Sequence, residues 1–194
     1  MAVNGFMASA GLKRKRAFPL TLTASMTRPL NDTEYAAIGG PKAWRLLSAQ
    51  AMGATVRLTQ DRRIMVRNTA KVWPSMNMSE GQLQQRKQPH LRGLKRRFPQ
   101  LGDDLFNSLW SGVTCISGNN GQVFDQLDSN LLVAGCYNGG GIGLATLFGE
   151  QMAYQASGEM TDAIAMIQAR PKPNPLPPQL LTHSKFRCTL TSHP

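Results

Sequence analysis

Five consecutive residues, Asn138-Gly139-Gly140-Gly141-Ile142, have the composition best suited to holding a ligand in this 194-residue chain. Each glycine lets backbone approach a group that a side chain would hold off, and tolerates positive φ. The preceding run Leu131-Leu132-Val133-Ala134 has the length and bulk of a buried strand. After the turn, Ile142, Leu144, Ala145, Leu147, Phe148 and Met152 recur mostly three and four residues apart, which predicts a helix with one buried face. Strand, glycine turn and helix start together aim bare N–H groups and the positive end of a helix dipole at whatever fills the turn. No Lys-Ser/Thr follows, so the turn is not a nucleotide P-loop. Gly139, Gly141 and Leu144 stand where G-x-G-x-x-G needs three glycines. Taken alone, such a turn is more often structural than ligand-binding.

Other chemistry is thin. His90 falls in a predicted helix and His183 and His193 in the tail, and each reads as a surface polar residue. No Ser/His/Asp arrangement and no metal-ligand spacing occurs. Asp103 and Asp104 follow a Pro-Gln-Leu-Gly turn and read as the start of a helix. Any reaction here leaves its hard chemistry to a cofactor.

The elements that must position the turn follow from composition and pattern. The length suits one domain or two small ones with a real core. Three widely spaced cysteines, Cys115, Cys136 and Cys188, fit neither a disulfide framework nor a zinc site and point to a reducing, cytoplasmic setting. The net charge of +11 is concentrated: residues 1–100 hold 18 Lys and Arg against 4 Asp and Glu. These bases come in short runs with no zinc finger or aromatic RNA-binding signature, so solubility is the expectation and no nucleic-acid partner is assigned. Residues 131–149 carry no charge, but their six glycines, three of them consecutive, would break a spanning helix, so no membrane segment is expected.

Along the chain, a helical turn is expected after Asn4-Gly5 and a half-buried strand over 18–23, continuing to an exit at Pro29. Asn31-Asp32-Thr33-Glu34 predicts a short helix that ends at Gly39-Gly40-Pro41. Strands over 44–50, 55–59 and 63–67, joined by short connections, argue for an antiparallel sheet. A polar loop is expected over 71–79 around Trp73-Pro74. Residues 80–98 predict a helix whose stripe is Leu83, Lys87, His90, Leu91, Leu94 and Phe98, kinked or divided at Pro89. A strand over 107–117 interrupted at Gly112, a turn at 117–121, and a short helix over 161–168 complete the pattern. Five prolines in 170–178 impose an extended segment.

Seven segments in order resemble the C-terminal half of an FAD-dependent oxidoreductase of the D-amino-acid oxidase-like superfamily, nearest its gamma-glutamylputrescine oxidase and glycine oxidase branch. They are Ala2-Val3-Asn4-Gly5, Met26-Thr27-Arg28-Pro29-Leu30, Arg57-Leu58-Thr59-Gln60-Asp61-Arg62-Arg63-Ile64, Arg97-Phe98-Pro99-Gln100-Leu101, Trp110-Ser111-Gly112, Gly135-Cys136-Tyr137-Asn138-Gly139-Gly140-Gly141-Ile142 and Leu176-Pro177-Pro178.

The resemblance implies an α+β fold with an α/β remnant. An antiparallel-sheet substrate domain with helices would join a C-terminal strand–glycine turn–helix from an FAD-binding domain. The implied boundaries are 1–20 (remnant of the FAD-binding domain), 21–122 (substrate domain), 123–169 (C-terminal part of the FAD-binding domain) and 170–194 (proline-rich tail). It implies FAD as cofactor, with Asn138, Gly139, Gly140, Gly141 and Ile142 facing the flavin. The implied reaction is hydride transfer from the amine-bearing carbon of a small amine or amino-acid substrate.

Three features depart from the family pattern. The N-terminal G-x-G-x-x-G unit is absent from these residues. Val113, Thr114 and Cys115 follow Gly112 where several members carry a carboxylate-binding arginine. Gln122 and Phe124-Asp125 replace the usual Pro and Phe-Gly. The implied protein is therefore a truncated oxidoreductase, incomplete on its own or completed by a separate N-terminal FAD-binding half. The alternative is a non-catalytic binding or structural protein that keeps the sheet and offers a basic surface to an acidic partner.

Overall fold

The computed structural model describes residues 4–7, 10–12, 15–49, 53–72 and 77–175. Lys13, Arg14, Trp73, Pro74, the segment from Leu176 onward, His183, Cys188 and His193 lie outside them. The chain divides into two compact units, 21–112 and 1–20 with 113–194.

The first unit is built on a five-stranded sheet of order β2-β3-β4-β1-β5. Its strands are β1 (Phe18–Thr27), β2 (Trp44–Leu47), β3 (Thr55–Leu58), β4 (Ile64–Val72) and β5 (Phe106–Ile116). β2, β3 and β4 form an antiparallel meander in the register Leu46↔Val56↔Val66 and Trp44↔Leu58↔Ile64. This period-two pattern sends Val56, Leu58, Ile64 and Val66 to one face, where they are buried with Leu30, Leu94, Leu101, Leu105 and Phe106. β4 runs through Val72, two residues into the segment expected as loop, and β5 continues through Gly112 without a break.

Helix α1 (Asp32–Ala37) starts where expected. Asn31 and Glu34 form a reciprocal capping box, and Glu34 also takes both ends of the Arg28 guanidinium at 2.7 Å. Helix α2 (Glu80–Lys95), capped by Ser79 and Gln82, is one continuous helix with Pro89 inside it. The Pro89 carbonyl accepts Asn68 Nδ2 at 3.0 Å, which ties this helix to β4.

His90 departs from its surface expectation. It is fully buried, with Nδ1 2.7 Å from Ser25 Oγ and Nε2 3.2 Å from both Thr23 Oγ1 and Thr69 Oγ1. A row of small hydroxyls on β1 and β4 satisfies both ring nitrogens, which makes burial tolerable. Asp103 and Asp104 start no helix: they precede β5 in irregular chain, with Asp103 2.7 Å from Lys95 and Asp104 3.9 Å from Lys87.

The second unit centres on an antiparallel ribbon of β6 (Val123–Asp128) and β7 (Leu131–Gly135), with register Val123↔Gly135 and Phe124↔Ala134. Alternation sends Val123 and Val133 to a cluster with Met7, Ala17, Cys115 and Cys136. Phe124 and Ala134 face the other way, toward Tyr137, Phe148, Ile164 and Ile167. Helices α3 (Gly141–Ala156) and α4 (Asp162–Gln168) supply these last three. Phe148 meets Phe124 and Tyr137 edge-on, at ring-centroid distances of 5.3 and 5.9 Å.

The apolar face expected on α3 is only partly covered. Phe148 is buried and Leu144, Ala145 and Met152 pack around it, but Ile142 is 91% exposed. A two-stranded ribbon with one short helix is narrower than the apolar arc of α3. Among the described residues, no helix is long and apolar enough to cross a membrane.

Candidate functional site

β7 delivers the chain into a turn of tightly specified backbone. Cys136 (φ +54°), Asn138 (φ +50°) and Gly139 (φ +89°) all occupy the left-handed region. Only glycine adopts it without penalty, and asparagine is the next most tolerant residue. The Asn138 side chain repays its conformation with hydrogen bonds. Its Oδ1 accepts the Ser117 N–H at 2.8 Å, and its Nδ2 donates to the carbonyls of Cys136 (3.0 Å) and Gly121 (3.1 Å). The Asn138 N–H donates to the Cys115 carbonyl at 3.1 Å. The turn is thus fastened to the end of β5 and to the following 117–121 turn.

Gly140 is the N-cap of α3 and makes no side-chain cap. The N–H groups of Gly141, Ile142 and Gly143 have no carbonyl one turn earlier within the helix to bond. The first turn of α3 carries no acid, so the positive end of a 16-residue helix is uncompensated. A Cβ built on Gly139, Gly141 or Gly143 would meet nothing within 4 Å. Gly139 and Gly140 are exposed. Gly139, Gly141 and Ile142 therefore form the open side of the turn, whereas Asn138 spends its donors inward and the Gly140 N–H donates to the Tyr137 carbonyl at 2.9 Å.

Beside the turn, Cys115 and Cys136 are buried free thiols in one apolar cluster. The neighbouring Cys136 thiol and burial raise the Cys115 pKa above its usual value. The Tyr137 hydroxyl is buried without a partner among the described residues, and burial pushes its ionisation upward. The fastening by Ser117 was not anticipated from sequence. Its one signal was the Ser-Gly-Asn-Asn-Gly turn placed upstream of a hairpin that returns to the same point.

With this geometry in hand, comparison defines the class. The family model described as DAO, FAD dependent oxidoreductase, matches residues 2–155, and the chain belongs to that family. The cofactor of the family is FAD. The Leu176-Pro177-Pro178 segment falls beyond the match.

Solved structures share the fold. Glycine oxidase from Geobacillus kaustophilus superposes with a TM-score of 0.58 at 16% identity, covering 80% of this chain and 39% of that one. L-proline dehydrogenase from P. horikoshii gives 0.59 at 16% identity, covering 87% and 46%. The deglycating enzyme fructosamine oxidase from Aspergillus fumigatus (Amadoriase II) gives 0.57 at 17%, covering 82% and 42%. The chain thus spans less than half the length of each. No curated protein matches the sequence significantly.

The glycine turn fits one end of FAD. Neutral backbone donors at the positive end of a helix, with open space at three glycines, suit the electron-rich edge of a flavin ring. For the ADP end the 194 residues supply no G-x-G-x-x-G unit.

Proposed function

We propose that this chain forms the flavin-ring and substrate-binding part of an FAD-dependent oxidoreductase of amines or amino acids. Asn138, Gly139, Gly140, Gly141 and Ile142 hold the flavin, and residues 21–122 bind the substrate. Residues 123–169 belong to the FAD-binding domain, and 170–194 form a tail. Bound FAD supplies the two-electron acceptor for a hydride leaving the carbon that bears the amine. The chain's own part is orientation: Asn138 fixes the turn, and the N–H groups of Gly141, Ile142 and Gly143 meet the electron-rich edge of the ring. The carrying observation is the uncapped, glycine-lined start of α3 in a member of this family.

The ADP-binding unit comes from polypeptide outside these residues, such as a separate N-terminal half. The apolar side chains left uncovered on the second unit support this: Ile142 at 91%, Met160 at 65% and Met166 at 72% exposure. The free thiols at Cys115 and Cys136 suit the reducing cytoplasm. A non-catalytic binding role is the second reading, favoured by Val113-Thr114-Cys115 where several members carry arginine.

The test is flavin uptake. FAD is added to the purified chain, alone and with the G-x-G-x-x-G half of a family member, and the flavin absorption and fluorescence are followed. Shifted flavin absorption with quenched emission is expected for the combination, and its loss in Gly141→Val. No uptake in either arrangement sinks the oxidoreductase reading.

A further inference from the structure

The face of β2–β3–β4 opposite the hydrophobic core carries three arginines. Arg45 and Arg57 are cross-strand partners, and Arg57 also pairs with Met65. Arg67, paired with Thr55, is the diagonal neighbour of Arg57 on the same face. Like charges directly opposite one another destabilise a strand pair unless something neutralises them. No Asp or Glu occurs between Glu34 and Asp61, or between Asp61 and Glu80. Asp61, in the turn between β3 and β4, is held by Arg63 at 2.8 Å.

Arg67 differs from an ordinary solvated arginine. Its Nε and Nη2 donate to Thr55 Oγ1 at 3.1 and 2.7 Å, and Nη2 also donates to the Gly53 carbonyl at 3.0 Å. These three bonds fix the plane of the guanidinium. They leave Nη1 without a partner among the described residues and the Thr55 hydroxyl proton free to donate. Burial without a counter-charge pulls the Arg67 pKa below its usual value. A half-buried cation held rigidly by neutral acceptors, beside a second arginine and with no acid on its strands, has no anionic partner among the described residues.

We propose that Arg67, with the Thr55 hydroxyl and Arg57, is a binding site for the carboxylate of a small organic acid. Arg67 is the anchor: a fork with a free edge is preorganised for a planar carboxylate, which Lys could not match. Thr55 donates the second hydrogen bond, and Arg57 adds charge. In the oxidoreductase reading this carboxylate belongs to the amino-acid substrate. The inference rests on that reading only for the name of the ligand.

The test is calorimetric titration of the full chain, without FAD, with benzoate, its neutral isostere benzamide, and inorganic phosphate. Benzoate should bind at least about tenfold more tightly than benzamide or phosphate. Arg67→Met should weaken benzoate by about tenfold or more, Arg67→Lys should recover part of the loss, and Arg57→Gln should cost about threefold. If Arg67→Met does not fold, Thr55→Val serves, with a loss of about fivefold expected. Equal binding of benzoate and benzamide, phosphate binding as tight as benzoate, or unchanged affinity in the folded Arg67 or Thr55 variant overturns the proposal. Flavin uptake without carboxylate binding overturns this site alone, whereas carboxylate binding without flavin uptake overturns only the oxidoreductase reading.

Discussion

Asn138 and Ser117, 21 residues apart, are joined by a 2.8 Å hydrogen bond from the Ser117 N–H to Asn138 Oδ1. That bond holds the candidate flavin turn to the end of β5, and the same side chain caps the Gly121 and Cys136 carbonyls. Removing it leaves a partly buried donor and acceptors unpaired. Asn138→Ala should therefore lose about 2–4 kcal/mol in urea unfolding, from bonds worth roughly 1 kcal/mol each and a left-handed φ that alanine resists. Asn138→Gly keeps the φ and should lose about 1 kcal/mol less. Equal losses in the two variants would show that backbone conformation contributes nothing.

The glycines of the turn should separate into two kinds. Gly139 has φ +89°, so Gly139→Ala is strained whatever the space and should cost about 1–2 kcal/mol of stability. Gly141 has no such φ, and its Cβ would meet nothing. Gly141→Val should therefore leave the urea midpoint close to that of the parent while removing flavin uptake. Thermal or urea unfolding beside a flavin titration reads both effects.

His90 should make stability depend on pH in the acid range. Burial, then the charge of Arg86, lowers its pKa from 6.5 to about 4. The unfolded chain thus binds a proton at a pH where the folded chain does not. The stabilisation from a neutral His90 is complete above pH 6.5 and is lost progressively as pH falls to about 4. The contribution is of order 3 kcal/mol. His90→Gln should flatten the stability profile between those limits, as measured by urea unfolding at stepped pH. An unchanged slope would contradict the assignment.

Phe148 carries the junction between α3 and the β6–β7 ribbon. It is fully buried and meets Phe124 and Tyr137 edge-on. Phe148→Ala should cost about 3–5 kcal/mol, and Phe148→Leu markedly less, because leucine leaves a smaller void. Differential scanning calorimetry would record the two shifts. A similar loss on Leu147→Ala, at a position 37% exposed, would contradict the packing described.

Local patterning alone located most elements. Asn31 with Glu34 and the segment from Thr161 announce helix starts, and the short connections between strands at 44–50, 55–59 and 63–67 announce an antiparallel sheet. The glycine turn was equally readable, since a strand, three glycines and a periodic helix lie within two dozen residues. All of these are contacts between near neighbours in sequence, so spacing suffices to reveal them.

His90 and Arg67 lay beyond that reach. His90 sits on the helix stripe beside Leu91 and Leu94, yet its partners Thr23, Ser25 and Thr69 come from two strands distant in sequence. No spacing rule connects them. Arg67 reads as one base among many until strand register sets it beside Thr55 and diagonal to Arg57. On α3, periodicity named Ile142 and Phe148 alike as apolar-face residues; the width of a two-stranded ribbon buried Phe148 and left Ile142 in solvent. The chain's own order of residues sets local conformation, because φ, ψ and periodicity depend on near neighbours. Burial, pairing and exposure depend on which distant segments arrive alongside, and those follow from the fold.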